Sequence, residues 1–249
     1  MGKMGLHLQN RQLKKYRVLA VFLARGGSKR IKNKNIINFN GKPIIYNGLN
    51  VAKKSGLFTK IFISTDSLKI KKIVERFGFK IDKLREKKLS KDNVQSFTVL
   101  KSIIRDYQKK NIHFDFIFNI FPASPLLEVR DLQNAYKTFV EKKMIKPLLV
   151  FSKFNTPPEW AFELKKDKIA YPVNPKKILK TSKNFKKKYF ESGPFSIYPT
   201  KLFEKKKYDV KKGFIPYEIS NLRAIDIDEP RDLDFAKALF FAQKKIKKK

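Results

Sequence analysis

The chain has no cysteine, only two histidines and one tryptophan among 249 residues. Without cysteine there are no disulfides, no thiolate metal sites and no cysteine nucleophile. A reducing, cytoplasmic setting is the expectation that fits. His7 lies in a ragged N-terminal extension, residues 1–16, and His113 precedes a strand pattern. A histidine-based triad or metal cluster is therefore not expected. Long apolar runs are missing too. Charges interrupt every one before it reaches the length of a bilayer span, and the N-terminal segment has no apolar stretch of the secretory kind. No membrane partner is expected.

Acidic residues are scarce: 22 Asp and Glu stand against 58 Lys and Arg, a formal net charge of +36. Such a balance is a first hint of nucleic-acid binding. Here, however, the lysines are spread along the whole chain. Lysine, isoleucine, asparagine and phenylalanine are plentiful together, as compositional drift toward A/T-rich codons would produce. Drift puts lysine on solvated faces without any partner, so no specific nucleic acid is expected. The basic tail KKIKKK, residues 244–249, attracts polyanions non-selectively.

What the chain does have is apolar patterning, with 42% hydrophobic residues. VLAVFLA, KIFIST, FDFIFNIF and PLLVFS read as buried strands. Between them lie helical patterns: PIIYNGLNVAKKSG, opened by Pro43 and closed by Gly56; SLKIKKIVERFG, capped by Asp66 or Ser67; residues 95–110; and VRDLQNAYKTFVEKK. PFSIYP reads as a short strand, LRAIDID as another, and a helix runs from Pro230. The alternation predicts an α/β, Rossmann-like, mostly parallel sheet with helices on both faces. The rhythm breaks over residues 152–195, rich in proline and lysine, which read as a small inserted lobe. The domain is expected over 17–243. Trp160 reads as core of that lobe.

The sharpest local feature is AVFLARGGSKRIKNKNI, Ala20 to Ile36. A strand ends in glycines, a serine and cations, where an α/β sheet opens its ligand crevice. The loop matches neither the Walker nor the dinucleotide-binding glycine spacing. Gly26 and Gly27 lack Cβ, so backbone N–H groups there can approach an anion closely. Ser28 adds a hydroxyl, and Arg25, Lys29, Arg30, Lys32 and Lys34 carry enough charge for a triphosphate. The plainer alternative is a tight turn with solvated cations. Near the other end, Asp226 and Asp228 stand two apart on a predicted strand, hence on one face. Two such carboxylates suit Mg²⁺. Equally, Asp228 suits the cap of the final helix, with Asp232 favouring its dipole. Asp66 in ISTDS is read as a helix cap.

LARGGSKRIKNKNI followed by GKPII resembles the signature of the acylneuraminate cytidylyltransferase family. SGLFTKIFISTDS, LREKKLSKDN, FPASPLL and IDIDEPRDLDFAKAL resemble further family segments in the family's order, over residues 17 to 243. The resemblance implies transfer of CMP from CTP to a sugar acid, with pyrophosphate released and Mg²⁺ required. It implies a nucleotide site at Ala24, Arg25, Gly26, Gly27, Ser28, Lys34, Asn35 and Arg85. Arg25 and Lys34 would carry the catalytic charge neutralisation, and Arg85 would lie near cytosine and ribose. Glu86 replaces the family's proline after that arginine. Asp226 and Asp228 become metal ligands on this reading. Family members pair as homodimers, the inserted lobe reaching into the partner.

For the sugar, Phe121 stands where sialic acid synthetases carry glutamine, and pseudaminic acid cytidylyltransferases carry an aromatic there. KTSKNFKKKYFESGPF is similar to the latter's sugar-binding segment, matching at Ser182, Tyr189, Gly193 and Phe195. Phe121, Ser124, Ser182 and Tyr189 are therefore the expected sugar contacts. Thr181 replaces the expected arginine; Lys180 or Lys183 would serve the sugar carboxylate with poorer geometry. A pseudaminic-type acid is the leading substrate. N-acetylneuraminic, legionaminic and 3-deoxy-manno-octulosonic acids, a nucleic-acid-binding protein, and a pseudo-enzyme stand as alternatives.

Overall fold

A computed structural model of the chain describes residues 16–205 and 208–246. Most of the expected N-terminal extension, and Lys247 to Lys249 of the tail, lie outside the described residues. In chain order the elements are β1 (Val18–Leu23), a small hairpin of β2 (Asn38–Phe39) and β3 (Lys42–Pro43), α1 (Ile45–Ser55), β4 (Lys60–Ser64), α2 (Leu68–Glu75), α3 (Ser96–Gln108) and β5 (Phe116–Ile120). There follow α4 (Val129–Glu141), β6 (Leu148–Lys153), a second hairpin of β7 (Phe162–Leu164) and β8 (Ala170–Pro172), β9 (Tyr189–Pro199), β10 (Ile215–Glu218) and α5 (Pro230–Ile246).

Six strands make one sheet in the order β10-β6-β9-β5-β1-β4. β4, β1 and β5 run parallel, as do β6 and β10, and β9 alone runs antiparallel to both its neighbours. The expected α/β, mostly parallel sheet is present. Strand alternation sorts the core into two layers. Val18, Ala20 and Phe22 of β1 join Phe116, Phe118 and Ile120 of β5 beneath α1 and α4. The intervening Leu19, Val21 and Ile117 face α3 through Val99, Leu100 and Ile103. A third cluster seats Leu233, Ala236 and Leu239 of α5 on Phe39, Ile44, Leu126 and Ile227. The large aromatics Phe22, Phe116, Phe118, Phe139 and Phe195 are fully buried, so they make core and not a base-stacking surface.

Several expectations need correction. PFSIYP is the end of an eleven-residue strand, β9, that enters the middle of the sheet. Its antiparallel direction was not legible, because direction is fixed by the neighbours a strand pairs with. The sheet keeps β6 to Lys153 and takes β9 from Tyr189. The segment that leaves it is therefore 154–188, inside the expected 152–195. LRAIDID forms no strand; FIPYE, not anticipated, supplies β10. Pro43 belongs to β3 and not to the first turn of α1.

Replacing Phe118, which contacts Phe195 and Phe58 rings at 5.9 and 5.1 Å, with Ala is expected to cost about 3–5 kcal/mol. Phe235→Ala on the exposed side of α5 is expected to stay within about 0.5 kcal/mol. Urea unfolding of both variants checks this.

Candidate active site

β1 is flanked by β4 on one side and β5 on the other, so the chain reverses its direction of travel across the sheet there. Loops leaving the carboxyl ends of β1 and β5 diverge at such a point and leave a crevice. A cavity of about 510 Å³ occupies it. Arg25, Ser28, Lys34 and Asn35 line it from the loop after β1, and Arg85 from the loop after α2. Phe121 and Ser124 come from the turn after β5, and Asp226 and Asp228 from the segment before α5. Loops separated by about two hundred residues thus converge on one space.

The glycine loop is pinned by its own backbone. Ala24 N–H donates to the Ser64 carbonyl at 2.9 Å, and Gly26 N–H to Asp66 Oδ1 at 2.8 Å. Asn35 Nδ2 donates to the Arg25 carbonyl at 2.8 Å. These contacts revise three expectations. Ala24 is fully buried, and the Gly26 amide already has a carboxylate partner, so neither presents its N–H to an anion. Asp66 is not the cap of α2; Ser67 is, its Oγ accepting from Ile70 N–H at 3.3 Å. Asp66 instead fixes the loop. Gly26 is required for a packing reason, since a Cβ there would sit 2.9 Å from Ser67 Cβ, whereas Gly27 faces open space. Ala24, Gly26 and Gly27 do not line the cavity.

Four of the loop's cations are held in pairs by carboxylates from two separate segments. Arg25 Nη1 bonds Asp92 Oδ1, and Lys29 Nζ lies 2.5 Å from Asp92 Oδ2. Arg30 Nη2 and Lys34 Nζ both lie 3.0 Å from Asp228 Oδ1. The bonds from Lys29 and Arg25 hold the Asp92 carboxyl below the ordinary carboxylate range. Asp92 is not among the expected site residues, although it lies in LREKKLSKDN, one of the segments on which the resemblance rests.

The segment before α5 is extended without belonging to the sheet, and the expected alternation survives. Asp226 and Asp228 face the cavity while Ile227 is fully buried under α5. Asp228 does not cap α5. Asp232 reaches back to the N–H groups of Asp228 and Glu229 at 2.9 and 2.7 Å, which leaves the Asp228 carboxylate free to face the loop. Burial pushes Asp228 up, but the Lys34 hydrogen bond and the Lys34 and Arg30 charges outweigh it, and the carboxyl sits below its usual range. Desolvation by the cavity wall pushes Asp226 up, and the Asp228 charge adds to this. Arg223 bonds Asp131 at the start of α4 and thereby ties down this segment.

The third wall comes from β9. Its pairing with β6 is broken between Leu149 and Phe151, and Gly193 in the irregular stretch has φ +67°, a conformation open to glycine. The bulge brings Ser192 and Gly193 to the cavity, and the Pro194 carbonyl accepts from Phe121 N–H at 3.0 Å and Ser124 Oγ at 3.3 Å. Arg85 is anchored by Nε to Ser64 Oγ at 2.9 Å. Ser182 and Tyr189, expected as sugar contacts, do not line the cavity of their own chain. The lobe carries Ser182 away from the sheet, and Tyr189 is half-exposed beneath Lys153 Nζ.

The profile described as cytidylyltransferase matches residues 19–248. The chain belongs to the cytidylyltransferase family. This cytidylyltransferase is 32% identical over 222 residues to the pseudaminic acid cytidylyltransferase of Campylobacter jejuni subsp. jejuni serotype O:2, covering 89% of this chain and 95% of that one. It is 28% identical over 144 residues to the CMP-N,N'-diacetyllegionaminic acid synthase of Legionella pneumophila, 58% of this chain and 61% of the relative. Among solved structures, a CMP:2-keto-3-deoxy-manno-octonic acid synthetase complexed with CTP superposes with a TM-score of 0.68 at 14% identity, over 91% of this chain and 99% of that one. That likeness is one of fold.

In the cytidylyltransferase, Gly26→Ala is expected to cost about 1–3 kcal/mol through its clash with Ser67, and Gly27→Ala to change stability by less than about 0.5 kcal/mol. Thermal melts of the two variants test the packing assignment.

Proposed function

We propose that this enzyme transfers CMP from CTP to a nonulosonic acid of the pseudaminic type. The anomeric hydroxyl of the sugar acid attacks the α-phosphorus of CTP. The bond from that phosphorus to the bridging oxygen breaks, the hydroxyl proton is lost, and pyrophosphate leaves. The observation that carries this reading is the convergence of the cationic loop with Asp226 and Asp228 on one cavity. Full-length likeness to the Campylobacter jejuni enzyme supports the choice of sugar, as does the aromatic Phe121 at the cavity wall.

On this reading Arg25, Ser28 and Lys34 hold the triphosphate, Asn35 keeps the loop in shape, and Arg85 lies toward cytosine and ribose. Leu23, Leu89, Val94 and Val99 give that end an apolar lining that suits a flat base. Phe121 and Ser124 face the sugar. Such a site works by positioning and by charge neutralisation prepared before the reaction. Asp226 and Asp228 offer hard oxygen donors on one wall, and Mg²⁺ takes one or two carboxylates with phosphate oxygens and water. When bound, the ion would draw charge from the phosphates.

The enzyme acts as a homodimer in this proposal. Leu164 and Leu179 of the lobe are 80% and 93% exposed, with Ile169 and Val173 also open, an apolar display that calls for a cover. A partner's cavity would then receive Ser182 and Tyr189, which are idle in their own chain. Use of CTP suits a cytoplasmic location. Separately, no helix among the described residues is long and apolar enough to cross a membrane.

Pyrophosphate release from CTP is expected with pseudaminic acid and little of it with N-acetylneuraminic acid; a panel of nonulosonic acids read by a coupled pyrophosphate assay decides the substrate. Asp228→Asn is expected to lower turnover at least about 100-fold with the fold intact by circular dichroism. Full turnover in that variant would remove the metal assignment. Leu164→Glu together with Leu179→Glu is expected to shift the sedimentation coefficient from dimer to monomer.

A further inference from the structure

We infer that Asp92 is a displaceable counter-ion that occupies the polyphosphate site of the free enzyme and sets its affinity for pyrophosphate. The inference rests on the functional reading above and deepens it. Asp92 stands at the cavity wall on the loop leading to α3, directly after Lys91, whereas Glu86 at the start of the same loop pairs with Lys88. Its two carboxylate oxygens take different cations of the glycine loop, Oδ1 from Arg25 and Oδ2 from Lys29 at 2.5 Å. A pyrophosphate group presents the same motif, adjacent anionic oxygens that engage separate cations.

The bridge is solvated. The Asp92 side chain is 46% exposed, and those of Arg25 and Lys29 are 36% and 79% exposed. Exposed ion pairs contribute little to stability, so the fold does not depend on this one and a stronger anion can displace it. Among the described residues the partners given for the Asp92 carboxylate are these two cations. The second pair of loop cations, Arg30 and Lys34, is held in the same manner by Asp228, but Asp228 shares its wall with Asp226 and Asp92 stands alone.

The consequence is competition. A nucleotide triphosphate must take Arg25 and Lys29 from Asp92, and the displaced carboxylate then stands beside the phosphates and repels them. When pyrophosphate leaves, Asp92 recovers its partners. Asp92 therefore weakens polyphosphate binding while keeping the loop cations folded inward, and it acts as a positioning residue through Arg25 and Lys29.

The test is titration calorimetry of the full-length enzyme with inorganic pyrophosphate, CTP and CMP. Asp92→Asn, and Asp92→Ser as a second neutral variant, are expected to bind pyrophosphate and CTP about tenfold more tightly than the parent at low salt. CMP, which lacks the outer phosphates, should change less than about twofold, and Asp92→Glu should resemble the parent. The gain should shrink as salt rises, and in turnover the KM for CTP and the inhibition constant for pyrophosphate should fall together. Equal or weaker pyrophosphate binding by both neutral variants overturns the inference and leaves the functional reading standing. Equal tightening of CMP overturns it as well, because the effect would then be general charge. A parent enzyme that binds neither CTP nor pyrophosphate overturns the functional reading and this inference with it.

Discussion

The structure depends on how a loop with five positive side chains in ten residues is kept folded over a narrow crevice. Like charges at that density repel, and the loop has few apolar anchors. Two solutions operate together. Backbone and side-chain hydrogen bonds from Ser64, Asp66 and Asn35 fix the path of the chain. Two carboxylates from distant segments, Asp92 and Asp228, then divide four of the cations between them. The result is a loop whose cations are already held over the crevice, each pair neutralised by a carboxylate from elsewhere in the chain.

The sheet makes that arrangement available. β1 and β5 are buried on both faces, so their carboxyl ends are held rigidly, and the loops that leave them diverge over the crevice. β9 enters against the direction of its neighbours, and its bulge at Gly193 adds a third wall. α5 closes the fourth side by seating Ile227 in the core, which turns Asp226 and Asp228 outward. Rigid elements carry the framework, and the chemistry-bearing residues sit on the loops between them, where exchange of side chains costs little stability.

Legibility differed by the range of the interaction. The alternation of strands and helices was plain, because apolar period and caps are local; Gly56 at φ +68° and Ser67 at the start of α2 occupy the places their residue types suggest. The cationic loop and the acidic pair also stood out, since both are unusual compositions within a few residues. What local pattern could not give was partnership. Asp66 looked like a helix cap and turned out to fix the Gly26 amide. Asp228 looked equally like a cap and a ligand, and Asp232 took over the capping. Gly26 looked like room for an anion and proved to be room for Ser67. Ser182 and Tyr189 matched a motif but stand away from their own cavity, because a lobe's reach is decided by what it packs against.

By itself the sequence determined an α/β domain with a glycine-containing cationic loop early and a pair of acids late, since hydrophobic period, turn residues and charge are properties of neighbours in the chain. The tertiary structure alone decided that these ends meet, that β9 runs backwards between β5 and β6, and that Asp92 holds the loop. Arg25 and Asp92 are 67 residues apart, and Lys34 and Asp228 are 194 apart. Contacts of that range depend on strand order and on which face each strand buries, and both are settled only when the whole sheet closes its core.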